Sequence, residues 1–169
     1  MQGSSTPLAD ESALEAAVRQ YQGELLRYAA GILGSMADAE DAVQTAFLKA
    51  WRSRARMRPG TNLRALLYRI TYRTALDMLR TARRTARRLP PPAPAADPAR
   101  DAEVHDALAR LTPLDRALVW GQVVEGLSYR ELAAIHGRPE TALRSRCCRA
   151  KQRLAAWLGD GTREEGGSR

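Results

Sequence analysis

The chain has 169 residues, enough for one domain or two small ones, with 44% apolar but only 5% aromatic residues and a formal charge of +8. No apolar run approaches the eighteen or so residues of a membrane span, and the polar start, 1–10, has none of the regions of a signal peptide and reads as loose chain. The two cysteines, Cys147 and Cys148, are neighbours, which fits neither a disulfide framework nor a four-ligand zinc site and suits a reducing cytoplasm.

Charge is segregated along the chain. Residues 10–51 carry seven acids and three bases, whereas 52–88 carry twelve arginines and a single acid, Asp77. Residues 101–136 return to a net −3 and 137–153 to +5. Two basic blocks, each following an acidic one, imply two separate contacts with a polyanion.

In chain order, Leu14, Val18, Tyr21, Leu25, Tyr28 and Ile32 recur every three or four positions. They predict an amphipathic helix over 12–33, ended by Gly34 and Ser35. A second helix is expected from Asp38, where Asp38, Glu40 and Asp41 suit the positive end of the helix dipole. Val43, Phe47 and Ala50 or Trp51 form its inward stripe. Asp41, Gln44, Leu48 and Arg52 share another face, and a leucine there is either a partner's contact or half-buried in the bundle. Arg58-Pro59-Gly60-Thr61-Asn62 is turn chemistry. A third helix follows over about 63–80, with Leu63, Leu66, Leu67, Ile70 and Met78 or Leu79 inward.

That leaves Arg64, Tyr68, Arg69, Tyr72 and Arg73 for its other faces. Tyrosines one turn apart among arginines suit a single-stranded nucleic acid, whose bases stack on rings while guanidinium groups hold phosphates. Tyr72 is expected to be exposed; Tyr68 either joins that surface or packs in the core with its hydroxyl outward. Residues 81–100 change character, with paired arginines and then five prolines within ten residues. This is a semi-rigid linker that, at about 3.1 Å per residue, spans on the order of 60 Å.

Beyond it, Val104, Leu108 and Leu111 mark a further helix. Thr112-Pro113-Leu114-Asp115 opens another as cap, first-turn proline and acid. Its buried side is expected to hold Leu114, Ala117, Leu118 and some of Trp120, Val123 and Val124, with Gly126 as its stop. Ser128 and Glu131 then form a capping box. The helix they start carries Leu132 and Ile135 on one face and stops at Gly137. Pro139 fits the first position of a last helix, which buries Leu143, Cys147, Ala150 and Leu154 and leaves Arg144, Ser145, Arg146, Cys148, Arg149 and Gln152 outside. Two helices, a Gly-containing turn and a basic second helix make a DNA-binding helix-turn-helix. Arg144 is placed over base edges and Arg149 near phosphate. After Trp157 the tail, 159–169, is expected to be disordered.

Asp38-Ala-Glu-Asp-Ala-Val-Gln-Thr-Ala-Phe-Leu-Lys-Ala-Trp51 resembles the core-polymerase-binding helix of bacterial sigma factors. Leu66-Leu-Tyr-Arg-Ile-Thr-Tyr-Arg-Thr-Ala-Leu-Asp77 is similar to their promoter-melting helix. Leu111-Thr-Pro-Leu-Asp-Arg116 and Glu125-Gly-Leu-Ser-Tyr-Arg-Glu-Leu-Ala133 resemble their −35-reading domain. The order, and the lack of a further domain over 14–154, resemble the extracytoplasmic-function (ECF) class.

The resemblance implies an all-α fold of two small domains. A region 2 domain (10–82) and a region 4 helix-turn-helix domain (101–158) would be joined by the linker (83–100). It implies core-polymerase binding by Asp38, Asp41, Gln44 and Leu48. It implies −10 contacts from Asn62, Arg64, Tyr68, Arg69, Tyr72 and Arg73, with a flipped base held near Asn62 to Arg64. The −35 duplex would meet Arg138, Glu140, Thr141, Arg144, Ser145 and Arg149. The partners implied are core RNA polymerase, promoter DNA and an anti-sigma factor, with no cofactor, metal or catalytic residue. The chain departs from the family in having Thr71-Tyr72-Arg73 for Ala-Arg-Asn, Leu66 for a frequent tryptophan, and Thr141-Ala142-Leu143-Arg144 for Gly-Thr-Val-Lys. His136 and the cysteines also suggest a redox or metal sensor, although Cys147 falls on a core stripe. A one-component helix-turn-helix regulator with an N-terminal helical dimerisation domain, and an RNA-binding helical protein, are the rival readings. The regulator would not need an acidic docking helix followed by an arginine–tyrosine helix.

Overall fold

A computed structural model describes residues 8–86 and 99–164 of the chain. Seven α-helices and one short 3-10 turn make up its regular structure: α1 (Glu11–Leu33), α2 (Met36–Ser53), the turn Arg54–Arg56, α3 (Leu63–Ala86), α4 (Ala99–Ala109), α5 (Pro113–Val123), α6 (Tyr129–His136) and α7 (Glu140–Glu164). Among the described residues, no helix is long and apolar enough to cross a membrane.

Local chemistry sets most helix ends. Asp10 caps α1 by accepting from the Ala13 N–H at 2.8 Å, and Gly34 ends it in the left-handed conformation (φ 74°) that suits a residue without Cβ. Thr112 caps α5, and both halves of the Ser128–Glu131 capping box form at α6. Four boundaries differ from the sequence expectation. Helix α2 starts at Met36 because Ser35 caps it, which puts Asp38 in its first turn rather than at its start. Pro139 lends its carbonyl to the Leu143 N–H and so occupies the cap of α7 rather than its first turn. Helix α7 continues to Glu164, past the boundary expected at 158. The expected linker shortens at both ends, since α3 reaches Ala86 and α4 begins at Ala99; 87–98 and 165–169 lie outside the described residues.

Helices α1–α3 form one bundle and α4–α7 the helix-turn-helix unit. In the first, Leu25, Tyr28, Ile32, Val43, Phe47 and Leu67 are buried; in the second, Leu111, Leu118, Leu132, Ile135, Leu143 and Cys147. Leu8, read as loose chain, is fully buried. Val123 and Val124, offered with Trp120 as buried candidates, are 59% and 47% exposed, and it is Val119 and half-buried Trp120 that pack inward.

The two units also pack on each other, α5 against α1 and α6 against α3, so that their cores run together. The α1–α5 contact needs Gly31: a Cβ there would meet the Trp120 ring at 2.2 Å. Beside it the Arg27 guanidinium donates to both carboxylate oxygens of Glu125, at 3.0 and 2.9 Å.

Candidate nucleic-acid and polymerase interface

The outward face of α2 is free of the bundle. Asp38, Asp41 and Gln44 are exposed, and Leu48 is 48% exposed because α2 turns Ala39, Ala42, Val43, Ala46 and Phe47 inward instead. The four side chains straddle a ridge between two grooves. Asp38 and Asp41 border a groove floored by Leu33, Met78 and Leu79. Gln44 and Leu48 border one lined by Leu14, Val18 and Leu26 of α1. A ridge with an exposed leucine toward one apolar groove and two carboxylates toward the other can take the helices of a basic partner.

The six residues expected to meet the −10 strand lie on or just before α3, but they are not a free surface. Asn62 is exposed, and its side-chain oxygen accepts from the Ala65 N–H at 3.0 Å, so it caps α3. Arg64 donates to Glu24 through Nε and Nη2 (2.8 Å at the shortest) and to Glu131 through Nη1 at 2.9 Å. The hydrogen bond and charge of Glu24 raise the guanidinium's pKa further, against the cost of burial. Tyr68 is fully buried, its ring 4.9 Å from that of Tyr28 at a steep angle. Its hydroxyl is buried as well, so it matches neither sequence alternative: it is core, but with no polar end at the surface.

Arg69 donates from Nε to the Ile135 carbonyl at 3.2 Å and from Nη2 to the Ala134 carbonyl. Tyr72, expected to be exposed, is half-buried against the His136 ring, 4.6 Å between centroids at 84°. Only Arg73 and Asn62 of the six are exposed. The reason is the packing of α1 and α6 on α3, which sequence periodicity within one helix does not register. His136 also lies 3.4 Å from the Tyr28 hydroxyl, and burial, followed by the charges of Arg138 and Arg69, pushes its pKa down to about 4.

On α7, Leu143, Cys147 and Ala150 are buried and Leu154 half-buried, as their spacing requires. Arg138, Glu140, Thr141, Arg144, Ser145 and Arg149 are all exposed. Glu140 accepts from Arg144 at 3.0 Å, and the Arg144 guanidinium lies 4.8 Å from the centre of the Tyr129 ring. Such a pairing fixes the guanidinium over the first turn of α7, where a helix in the major groove presents its reading side chains. Cys147 and Cys148 are both free thiols, buried and exposed respectively. Among the described residues no three His, Cys, Asp or Glu side chains converge as a metal site would need.

Several structural residues were not read from the sequence. Arg146, placed there on an open face, donates to the buried Asp115 carboxylate at 2.6 Å, and Arg153 donates to its other oxygen at 2.9 Å. These pairs set the rotation of α7 about its axis. Burial raises the pKa of Asp115, but the hydrogen bonds of Thr112 and Arg146 and the nearby arginine charges outweigh it and hold the carboxylate below its ordinary range. Arg27, Gly31 and Glu125, which join the two units, and Glu24, which holds Arg64 within the first, carry no sequence signal, since their partners are 40 or more positions away.

Residues 17–85 match the family model of sigma-70 region 2, and residues 101–154 that of sigma-70 region 4. The ECF RNA polymerase sigma factor SigE of Mycolicibacterium smegmatis is 34% identical over 154 residues, a match spanning 83% of this chain and 60% of that protein. The ECF RNA polymerase sigma factor SigM of Mycobacterium tuberculosis is 34% identical over 156 residues, 89% of this chain and 79% of that protein. Among solved structures, the sigma factor RpoE in complex with the anti-sigma factor NepR from Bartonella quintana superposes with a TM-score of 0.72 at 25% identity, covering 86% of this chain and 96% of that one. CnrH in complex with the cytosolic domain of CnrY gives 0.71 at 25% identity, covering 89% and 90%. With both sigma-70 regions present in order, an all-helical fold and an identity level sustained over most of SigM, the chain belongs to the ECF sigma factors of bacterial RNA polymerase.

Proposed function

We propose that this chain binds core RNA polymerase through the outer face of α2, reads the −35 duplex with α7 and holds the opened −10 strand on α3. The observation that carries the first step is Leu48, 48% exposed beside Gln44 in the middle of a helix that buries Ala42, Val43, Ala46, Phe47 and Ala50. In this reading 10–82 is the polymerase and −10 unit, and 101–158 the −35 unit. Asp38, Asp41, Gln44 and Leu48 dock on the polymerase. Arg138, Glu140, Thr141, Arg144, Ser145 and Arg149 face the major groove, and Asn62, Arg64, Tyr68, Arg69, Tyr72 and Arg73 serve the melted strand. The last group meets DNA only after α6 has moved from α3.

The chain contributes recognition and strand separation, and bond-making stays with the polymerase. Its place of work is the cytoplasm, where the polymerase is. An inhibitory protein partner is proposed on the ground that the RpoE structure it resembles is a complex with an anti-sigma factor. Family membership displaces the one-component regulator as the leading alternative.

Retention of core polymerase by immobilised chain tests the docking face. Asp41→Lys and Leu48→Glu should each weaken binding at least about tenfold, roughly 1.4 kcal/mol, with unchanged helicity. Wild-type retention by both variants would remove α2 from the interface.

A further inference from the structure

Four arginines that pack against the helices have carboxylate partners at 2.6–2.9 Å: Arg27 with Glu125, Arg64 with Glu24, and Arg146 and Arg153 with Asp115. Arg116 is the exception. It is only 8% exposed, its Nε is buried with no hydrogen-bond partner, and among the described residues no carboxylate pairs with its guanidinium. Burial, and then the like charge of Arg83, lower its pKa. One turn further along α5, on the same face, the Trp120 Nε1–H is also buried and unpaired. A buried donor without an acceptor is costly, and two on one face imply an acceptor from outside the chain. Both side chains line a cavity of about 260 Å³ between α1, α4 and α5. Gly31 and Gly34 form one wall and Val104, His105 and Leu108 another, with His105 at the exposed rim. The acids of α4, Glu103 and Asp106, line a different pocket beside Trp157.

We propose that this cavity is a binding site for a small organic carboxylate, held by Arg116 and Trp120 with its hydrocarbon part against Val104 and Leu108. The guanidinium donates to both carboxylate oxygens in the paired geometry that arginine favours, and the indole N–H donates to one of them. His105 supplies a further donor at the rim. The rest of the wall is apolar or glycine, which suits a hydrocarbon body and leaves the extra charge and oxygens of a phosphate unsatisfied. The volume lies just below the roughly 300–1,000 Å³ of drug-sized pockets, which sets the ligand at about ten non-hydrogen atoms. None of these residues belongs to the groups assigned to polymerase or to DNA, so the site is a separate function of the chain.

The test titrates the full chain, labelled with nitrogen-15, with 3-phenylpropionate in phosphate-free buffer and follows the indole N–H signals by NMR. The three tryptophans give three such signals, and Trp120→Phe assigns the one of Trp120 by its loss. The expected result is a saturable shift of the Trp120 signal with that of Trp51 unmoved. The dissociation constant should be at or below about 1 mM, a scale open to a ligand of this size. 3-Phenylpropanamide has the same body without the charge, and inorganic phosphate the charge without the body; each should bind at least about tenfold more weakly. Arg116→Met should abolish the shift. Without ligand it should melt at or above the wild-type temperature, because it replaces an unpaired buried charge by an apolar side chain of similar size. Arg116→Gln carries the binding comparison should the methionine variant fail to fold. No movement of the Trp120 signal at tens of millimolar 3-phenylpropionate would overturn the site, as would equal binding of the amide or of phosphate. Undiminished binding in the Arg116 variants would overturn it too. So would a strongly lowered melting temperature in both, which would show that Arg116 already has its partner within the chain.

Discussion

Asp115 is where a single substitution should separate the geometry of α7 from its DNA contacts. Its side chain is 3% exposed and accepts from Arg146 at 2.6 Å, from Arg153 at 2.9 Å and from the Thr112 hydroxyl at 2.8 Å. Breaking a fully buried ion pair costs about 3–5 kcal/mol. Here Arg146 and Arg153 are 38% and 50% exposed and can turn to water once released, so the cost is smaller. With net values of about 1.5–3 kcal/mol for bonds to charged groups, Asp115→Asn should lose about 2–3 kcal/mol. At about 2–4 °C per kcal/mol for a chain of this size, that lowers the melting temperature by roughly 4–12 °C.

The pH dependence has a definite sign. The carboxylate's pKa is depressed in the folded chain, so its contribution is present above the unfolded value of about 3.9 and is lost as pH falls through the folded value. Urea unfolding followed by circular dichroism should show a constant deficit in Asp115→Asn between pH 5 and 8, shrinking below about pH 4. Duplex affinity should fall as well, although Asp115 lies behind α7, because Arg144 and Arg149 lose their fixed orientation. A deficit under about 0.5 kcal/mol, the scale of a surface substitution, or one that persists unchanged to pH 3, would refute the buried-anchor argument.

His136 is the opposite case, a base that burial holds in its neutral form. Its pKa falls to about 4 against about 6.5 unfolded, so its contribution is complete above 6.5 and is lost as pH drops toward 4. Beside Tyr28, Tyr72, Arg69 and Arg138, this amounts to at most about 3 kcal/mol. His136→Phe should flatten that part of the stability profile in urea unfolding from pH 4 to 8, and parallel profiles would show that the imidazole is not buried neutral. On α7, Arg144→Ala should relax base preference by about 1–3 kcal/mol at one position. Arg149→Ala should weaken all sequences alike and lower the salt slope by about one; competition binding at several salt concentrations separates the two, and equal loss of specificity would mean the helix is rotated from the assigned phase. Tyr72→Ala should leave closed-promoter binding nearly unchanged but slow permanganate reactivity of −10 thymines by the loss of a stacking contact worth about 1–3 kcal/mol. Opening at the wild-type rate would make Tyr72 structural.

What was legible in the sequence is what is local. The Ser128–Glu131 box, the Thr112-Pro113 start and the stops at Gly34 and Gly137 were readable because a cap and its partner lie within four residues. The α7 stripe of Leu143, Cys147 and Ala150 was readable because one helix buries one face. On α2 the same rule set Asp41, Gln44 and Leu48 apart from the inward stripe but left Leu48 open between a partner's contact and half-burial. What failed was everything that pairs residues far apart. Tyr72 looked exposed because α3 alone gives it no neighbour; the neighbour is His136, in another unit. Arg64 looked like a free phosphate ligand because Glu24 and Glu131, its two partners, sit on polar faces of other helices where an acid draws no notice. Arg146 was placed on an open face with Arg144, because the partner that buries its head, Asp115, lies on another helix. Gly31 carries no mark within the periodicity of α1, while its lack of a Cβ is what admits Trp120. The linker encouraged the picture of two separate domains, yet a tether fixes only how far apart they can be.

The central claim, that this chain makes core polymerase start at promoters of its own, is tested most directly by transcription in vitro. Core polymerase, freed of other sigma factors, is incubated with fragmented genomic DNA of the source organism, with and without the chain, and RNA 5′ ends are mapped. The account predicts start sites that arise only with the chain, share a −35 and a −10 element at constant spacing, and disappear with Leu48→Glu. An identical set of start sites with and without the chain, from polymerase that is active with another sigma factor, would contradict it.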